Sequence, residues 1–147
     1  MQVAPGPQGS QENIELVESA FAAWNRGDIE TFADHVANDV AWVEVSGRPE
    51  GVANERLGRD RLRKSLETLF DAWESYRLEL ERVQDVGERV VAVVREVGRG
   101  RASGLEVAGR WGYLITVDNG QIVRIEAYRD AALALKMAGL GESGIGT

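Results

Sequence analysis

The chain of 147 residues contains no cysteine and only one histidine, His35. Without cysteine it can form neither a disulfide nor a thiolate metal site, and a single histidine is too few for a site built from several imidazole ligands. We therefore expect no structural metal. A chain without cysteine also suits a reducing compartment, and we expect a cytoplasmic protein.

Long apolar runs and basic side chains are also scarce. No run approaches the roughly 18 apolar residues of a membrane helix, and residues 1–10 lack the basic and apolar regions of a signal peptide. Lys and Arg number 17 against 24 Asp and Glu, giving a net charge of -7. Nucleic acids and anionic membranes need a basic face, so we expect neither as a partner. The short basic strip of Arg95, Arg99 and Arg101 has no interleaved aromatic residues and does not change this expectation.

The length predicts one domain with a single core. Pro, Gly and Gln dominate residues 1–10, which we interpret as a disordered tail. We assign residues 11–140 to the domain and residues 141–147 to a second flexible tail.

Helical and strand periodicities are segregated along the chain. Apolar residues at helical spacing predict a first helix through Trp24, a short second helix capped by Asp28 and extending to Val36, and a third from Leu62 to Trp73. A short strand over residues 40–45 precedes a predicted loop over residues 46–58.

After the third helix the period changes to two. Strands are predicted over residues 76–81, 90–94, 111–117 and 121–129, with a hairpin turn at Asn119-Gly120. Asp130 can cap a last helix through Met137, closed by Gly139. This order predicts an α+β domain whose curved antiparallel sheet wraps around the helices.

Several segments, in order, resemble the SnoaL-like branch of the NTF2-like superfamily. They are residues 21–28 (FAAWNRGD), 38–42 (NDVAW), 58–60 (GRD), 90–95 (VVAVVR), 98–101 (GRGR), 103–107 (SGLEV), 118–126 (DNGQIVRIE) and 131–140. The resemblance implies a conical fold with a pocket between the sheet and three N-terminal helices, and a homodimer through the outer sheet face. Members of the family include polyketide cyclases, ketosteroid isomerases and limonene-type epoxide hydrolases, as well as proteins without known activity.

The implied pocket needs an apolar lining, and the chain supplies aromatic residues for it. The expected ligand-binding residues are Trp24, Phe32, Trp42, Phe70, Trp73, Trp111 and Tyr128. For any one of them, plain core packing is the alternative.

The resemblance places Glu44 at the position of the family's base, in a segment that is otherwise apolar. Tyr113 falls where it can donate a hydrogen bond, while Ala20 and Ala127 stand where relatives carry further reactive groups. Arg129 shares the parity of Ala127 and is a candidate anion-binding group at the pocket mouth, with a salt bridge at the strand end as the alternative. The catalytic prediction is therefore Glu44, Tyr113 and Arg129.

Lesser candidates have structural explanations that we prefer. His35 lies near the end of a short helix, and Glu67 and Asp71 have the spacing of a solvated helix face.

Two functions stay open. The first is an enzyme without cofactors that uses acid/base chemistry on a small apolar carbonyl compound or epoxide, by isomerisation, cyclisation or hydrolysis. The second is a ligand-binding or accessory protein that uses the same cone without turnover.

Overall fold

The computed structural model describes residues 5–44 and 54–140. Four helices and six strands follow one another as α1 (Pro5–Asn25), α2 (Ile29–Asp34), β1 (Val36–Glu44), β2 (Asn54–Leu57), α3 (Arg59–Ala72), β3 (Trp73–Asp85), β4 (Arg89–Gly100), β5 (Glu106–Asp118), β6 (Gln121–Tyr128) and α4 (Ala131–Met137). The predicted α+β class is confirmed. None of the helices in the described part of the chain combines the length with the hydrophobicity that a membrane crossing requires.

The six strands form one open sheet in the order β2-β1-β6-β5-β4-β3. Every pairing is antiparallel except that of β1 with β6, which is parallel and corrects the prediction of a wholly antiparallel sheet. Strand β2 was not predicted, because its four residues, NERL, carry no apolar alternation. Residues 46–53 of the predicted loop lie outside the described residues.

The starts of the helices follow local signals. Helix α1 begins at Pro5, inside the segment that was predicted as a tail. Proline suits a first turn, where its missing N–H has no helical partner. Asp28 caps α2 by accepting from the Thr31 backbone N–H at 3.2 Å. Residues 1–4 and 141–147 lie outside the described residues.

Two element boundaries differ from the prediction. Val36 and Trp73, placed at helix ends by their apolar spacing, are instead the first residues of β1 and β3. A β-branched and an aromatic residue both favour the extended backbone, and that preference outweighs the helical period at the ends of α2 and α3.

The two faces of the sheet pack differently. The inner face and helices α1 to α3 enclose the main core, which includes Val17, Leu66, Leu78, Val94 and Ile115. On the outer face α4 covers a smaller cluster formed by Val91, Val93, Leu114, Tyr128, Ala134 and Leu135. The inner face therefore positions any group that points into the fold.

Candidate functional site

A cavity of about 170 Å³ lies between the inner face of the sheet and helices α1 and α3. Its wall contains five aromatic rings, one carboxylate and one hydroxyl besides the tyrosines. The residues that line it are Trp24, Trp42, Glu44, Leu62, Ser65, Leu66, Leu69, Tyr76, Trp111, Tyr113 and Ala127.

Glu44, Ala127 and Tyr113 stand in one row across three neighbouring strands. Ala127 of β6 is the register partner of Glu44 in β1 and of Tyr113 in β5. Two strand spacings put the Cα atoms of Glu44 and Tyr113 about 10 Å apart. Because Ala127 carries only a methyl group, the carboxylate and the phenol have open space between them. Glu44 is half-buried, and no donor among the described residues hydrogen-bonds to its carboxylate.

Tyr113 is buried, with 5% of its surface exposed, and no hydrogen bond links its hydroxyl to another described residue. Burial raises the pKa of Tyr113, and the negative charges of Glu96 and Glu44 raise it further. The hydroxyl therefore stays protonated at neutral pH, and it is a donor facing the cavity.

Glu96 is the polar residue that the sequence analysis missed. Its carboxylate accepts hydrogen bonds from the Tyr76 hydroxyl and from Nε1 of Trp111, the latter at 3.1 Å. Both donors line the cavity. Burial and the bond to Glu96 raise the pKa of Tyr76. The sequence could have indicated this position, because Glu96 is two residues after Val94 on β4 and alternate residues of a strand face the same side of the sheet.

Arg129 lies on Trp111 and is absent from the cavity wall. Its guanidinium carbon is 4.7 Å from the centre of the Trp111 ring, which is a cation–π contact. The side chain is otherwise exposed. This position supports Trp111 from outside the cavity.

Six of the seven predicted aromatic residues lie in or directly behind the wall of the cavity. Trp24, Trp42 and Trp111 line the cavity, and the rings of Trp24 and Trp42 stack with their centres 6.1 Å apart. Phe32, Phe70 and Trp73 lie behind the wall, the first two with their ring centres 5.6 and 5.5 Å from Trp24 and the third with its ring centre 5.4 Å from Tyr76.

Tyr128 is on the other side of the sheet, so its predicted place in the pocket is corrected. Its parity on β6 is opposite to that of Ala127, and its ring packs in the cluster beneath α4. The hydroxyl donates to Glu126 at 2.8 Å.

Most of the lesser candidates occupy structural positions. Asp130 caps α4 by accepting from the Ala132 N–H at 2.9 Å, and Glu67 and Asp71 are exposed. His35 is the C-cap residue of α2. Within the described residues, no group of three or more Asp, Glu or His side chains has the arrangement of a metal site.

Comparison with known protein families decides which family this fold represents. The model of the family described as "SnoaL-like domain" matches residues 17–125. The chain belongs to the SnoaL-like family. A search among curated proteins gave no significant match.

Solved structures agree with this assignment. An NTF2-like protein from Burkholderia xenovorans LB400 is 31% identical, with 88% of this chain and 96% of that chain covered and a TM-score of 0.66. A candidate polyketide cyclase from Xanthomonas campestris pv. campestris is 25% identical, with coverage of 88% and 98% and a TM-score of 0.67. An epoxide hydrolase of the LEH-like type from M. tuberculosis is 19% identical, covers 93% and 96%, and has a TM-score of 0.71, which shows a shared fold.

Proposed function

We propose that this SnoaL-like protein performs acid/base chemistry without a cofactor on a compact carbonyl compound or epoxide bound in the cavity. The observation that carries the proposal is the row of Glu44, Ala127 and Tyr113, which sets a carboxylate and a protonated phenol on opposite sides of an open space. Family membership supports it, since proteins of this fold include cyclases and epoxide hydrolases.

The chemistry follows from the two groups. With a ketone, the Glu44 carboxylate removes a proton from the carbon next to the carbonyl, and the electron pair moves onto the carbonyl oxygen. The Tyr113 hydroxyl donates a hydrogen bond to that oxygen as its negative charge develops. Return of the proton from Glu44 to another carbon of the same enolate gives an isomer and restores the carboxylate. With an epoxide, Glu44 instead takes a proton from water as the water oxygen attacks a ring carbon. The bond from that carbon to the epoxide oxygen breaks, and the Tyr113 hydroxyl gives its proton to the departing oxygen. Transfer of the proton from Glu44 to Tyr113 restores both groups.

Arg129 has a positioning role in this proposal. Because its guanidinium stacks on Trp111 outside the cavity wall, it holds the ring and does not touch a ligand bound between Glu44 and Tyr113. Tyr76 and Glu96 form a second polar pair, and the Glu96 carboxylate holds the Nε1 edge of Trp111.

A second candidate function is ligand binding without turnover. Among the described residues no side chain orients the Glu44 carboxylate by a hydrogen bond, whereas a general base is normally held in place by its neighbours. Ala127 occupies the middle of the row, where a further acid would stand in an epoxide hydrolase with two acids.

The test is isomerisation of a β,γ-unsaturated cyclohexenone to its conjugated isomer, followed by ultraviolet absorbance, together with hydrolysis of cyclohexene oxide. We expect Glu44→Gln to lower the rate about 100-fold or more, because loss of a general base typically removes a factor of about 10² to 10⁴. Tyr113→Phe should lower it by a factor of about 10² for loss of the donor. Glu67→Gln, which changes an exposed carboxylate on α3, is the matched control. Equal slow rates for wild type and Glu44→Gln would leave only the binding function.

A further inference from the structure

The cavity combines aromatic rings with negative charge. Five of its eleven lining residues are aromatic, namely Trp24, Trp42, Tyr76, Trp111 and Tyr113, and none of the described lining residues is Lys, Arg or His. Glu44 adds a carboxylate to the wall itself. Glu96 adds a second one directly behind Tyr76 and Trp111.

Neither Glu44 nor Glu96 forms an ion pair with another described residue. Glu96 is held by a phenol and an indole N–H, which are neutral donors that stabilise a carboxylate without cancelling its charge. The negative charge acts on Tyr113. Burial is the largest cause of its raised pKa, and the charges of Glu96 and Glu44 raise this pKa further.

Trp111 already binds a cation in the folded protein, because the guanidinium of Arg129 lies 4.7 Å from its ring centre. The negative faces of aromatic rings attract cations, and several rings around one space are the usual arrangement for binding methylated ammonium groups. A cation bound beside Glu44 gains an attraction to its carboxylate that a neutral ligand of the same shape does not have.

We propose that the cavity binds a compact organic ammonium ion, with its methyl or methylene groups against the rings of Trp24, Trp42 and Trp111 and its positive charge facing Glu44. The volume of about 170 Å³ sets the size. A cavity of about 150 Å³ holds one benzene molecule, so the ligand has about six to eight heavy atoms, as choline does. The inference uses the same cavity as the proposed function but does not depend on turnover.

A comparison of choline with 3,3-dimethylbutan-1-ol (dimethylbutanol below) tests whether the positive charge contributes to binding. The two molecules have the same shape, but carbon replaces the ammonium nitrogen in dimethylbutanol. Binding is measured by calorimetry and by the change in tryptophan fluorescence, at constant ionic strength so that general attraction to a protein of net charge -7 is equal throughout. We expect choline to bind at least about ten times more tightly than dimethylbutanol. Glu44→Gln should remove most of this preference while leaving the affinity for dimethylbutanol unchanged.

The control variant is again Glu67→Gln, which removes one negative charge from an exposed position on α3 and should keep the full preference for choline. Circular dichroism and thermal unfolding confirm that each variant is folded. Equal or tighter binding of dimethylbutanol to wild type would overturn the inference, as would failure of choline to bind. A preference for choline that Glu44→Gln and Glu67→Gln reduce equally would also overturn it, because the attraction would then be general.

This experiment separates the two proposals. Isomerisation of cyclohexenone without a preference for choline overturns the ammonium site and leaves the acid/base function in place. A preference for choline that depends on Glu44, without turnover of the ketone or the epoxide, supports the ammonium site and overturns the acid/base function.

Discussion

Glu96 connects two strands at the site, so its removal should destabilise the protein. Its carboxylate joins Tyr76 of β3 to Trp111 of β5, so Glu96→Ala leaves a phenol and an indole N–H in a half-buried place without their acceptor. We expect the free energy of unfolding, measured in urea, to fall by about 1–3 kcal/mol, the usual cost of stranding such groups. Glu67→Ala, which removes an exposed carboxylate, should change it by less than about 0.5 kcal/mol. Equal effects of the two substitutions would show that the Glu96 contacts contribute nothing.

Gly112 is required by close packing. A Cβ atom at this position would lie 3.1 Å from Cα of Ala131 and closer still to Cβ of Ala134, so α4 would have to move off the sheet. We expect Gly112→Ala to destabilise the protein by about 1–3 kcal/mol, as overpacking usually does. Gly109→Ala is the matched control on the same strand, because a Cβ atom there has no neighbour within 4 Å. A neutral Gly112→Ala would mean that α4 docks less tightly than the structure shows.

At the scale of elements, the Asn25 side chain attaches α1 to the outermost strand of the sheet. Its Oδ1 accepts from the Leu78 N–H at 2.8 Å and its Nδ2 donates to the Leu78 carbonyl at 3.0 Å. These are backbone groups of β3, which lies at an edge of the sheet in the described part of the chain, and unpaired edge groups can bond to another chain.

We expect Asn25→Ala to lower the free energy of unfolding by about 1–3 kcal/mol and to speed hydrogen exchange of the Leu78 amide. Arg26→Ala, one residue later, loses only an exposed ion pair with Asp28 and should leave that amide protected. Unchanged exchange at Leu78 in Asn25→Ala would contradict the attachment.

Elements with local signals were predictable, and those set by distant partners were not. Asp28 and Asp130 cap the helices as predicted, and Asn119 and Gly120 have the positive φ angles, 53° and 72°, of the predicted hairpin turn. The parallel pairing of β1 with β6 joins segments far apart in sequence, and no local pattern encodes it.

The site shows the same division. The alternation of a strand puts Glu96 on the inner face with Val94, but no sequence pattern shows that Tyr76 and Trp111 converge on Glu96 from the strands on either side of β4. Likewise, the resemblance made Phe70 and Trp73 candidates for the pocket lining, whereas the packing of α3 and β3 places both rings behind the wall, against Trp24 and Tyr76.

At the scale of the whole molecule, we propose that a second copy covers the outer face of β3 to β5, where α4 does not reach. Val97 is 38% exposed there, and the face carries balanced ion pairs, Arg110 with Glu81 and Arg99 with Glu106. Light scattering should then give a dimer, and Val97→Asp should shift it towards monomer without unfolding it. A monomeric wild type over the micromolar range would exclude this interface.

All three tyrosines of the chain have a higher pKa in the folded state than in the unfolded state. Burial raises the pKa of Tyr76, Tyr113 and Tyr128, with the value for Tyr128 at about 12 and a contribution from its hydrogen bond to Glu126. An unfolded tyrosine has a pKa of about 10. A group whose pKa is raised on folding contributes stability that is complete below the unfolded value and is lost as the pH rises through the folded value.

We therefore expect the free energy of unfolding to be insensitive to these groups up to a pH of about 10 and to fall steeply above it. Tyrosinate absorbance, followed together with circular dichroism, should rise only as the fold is lost, because no tyrosine ionises at its ordinary pKa in the native protein. Tyr128→Phe removes a phenol whose pKa burial raises to about 12, and it should make the loss of stability at alkaline pH shallower. Tyrosinate that forms near pH 10 in a protein with native circular dichroism would contradict this prediction, because at least one phenol would then ionise at its ordinary pKa in the native state.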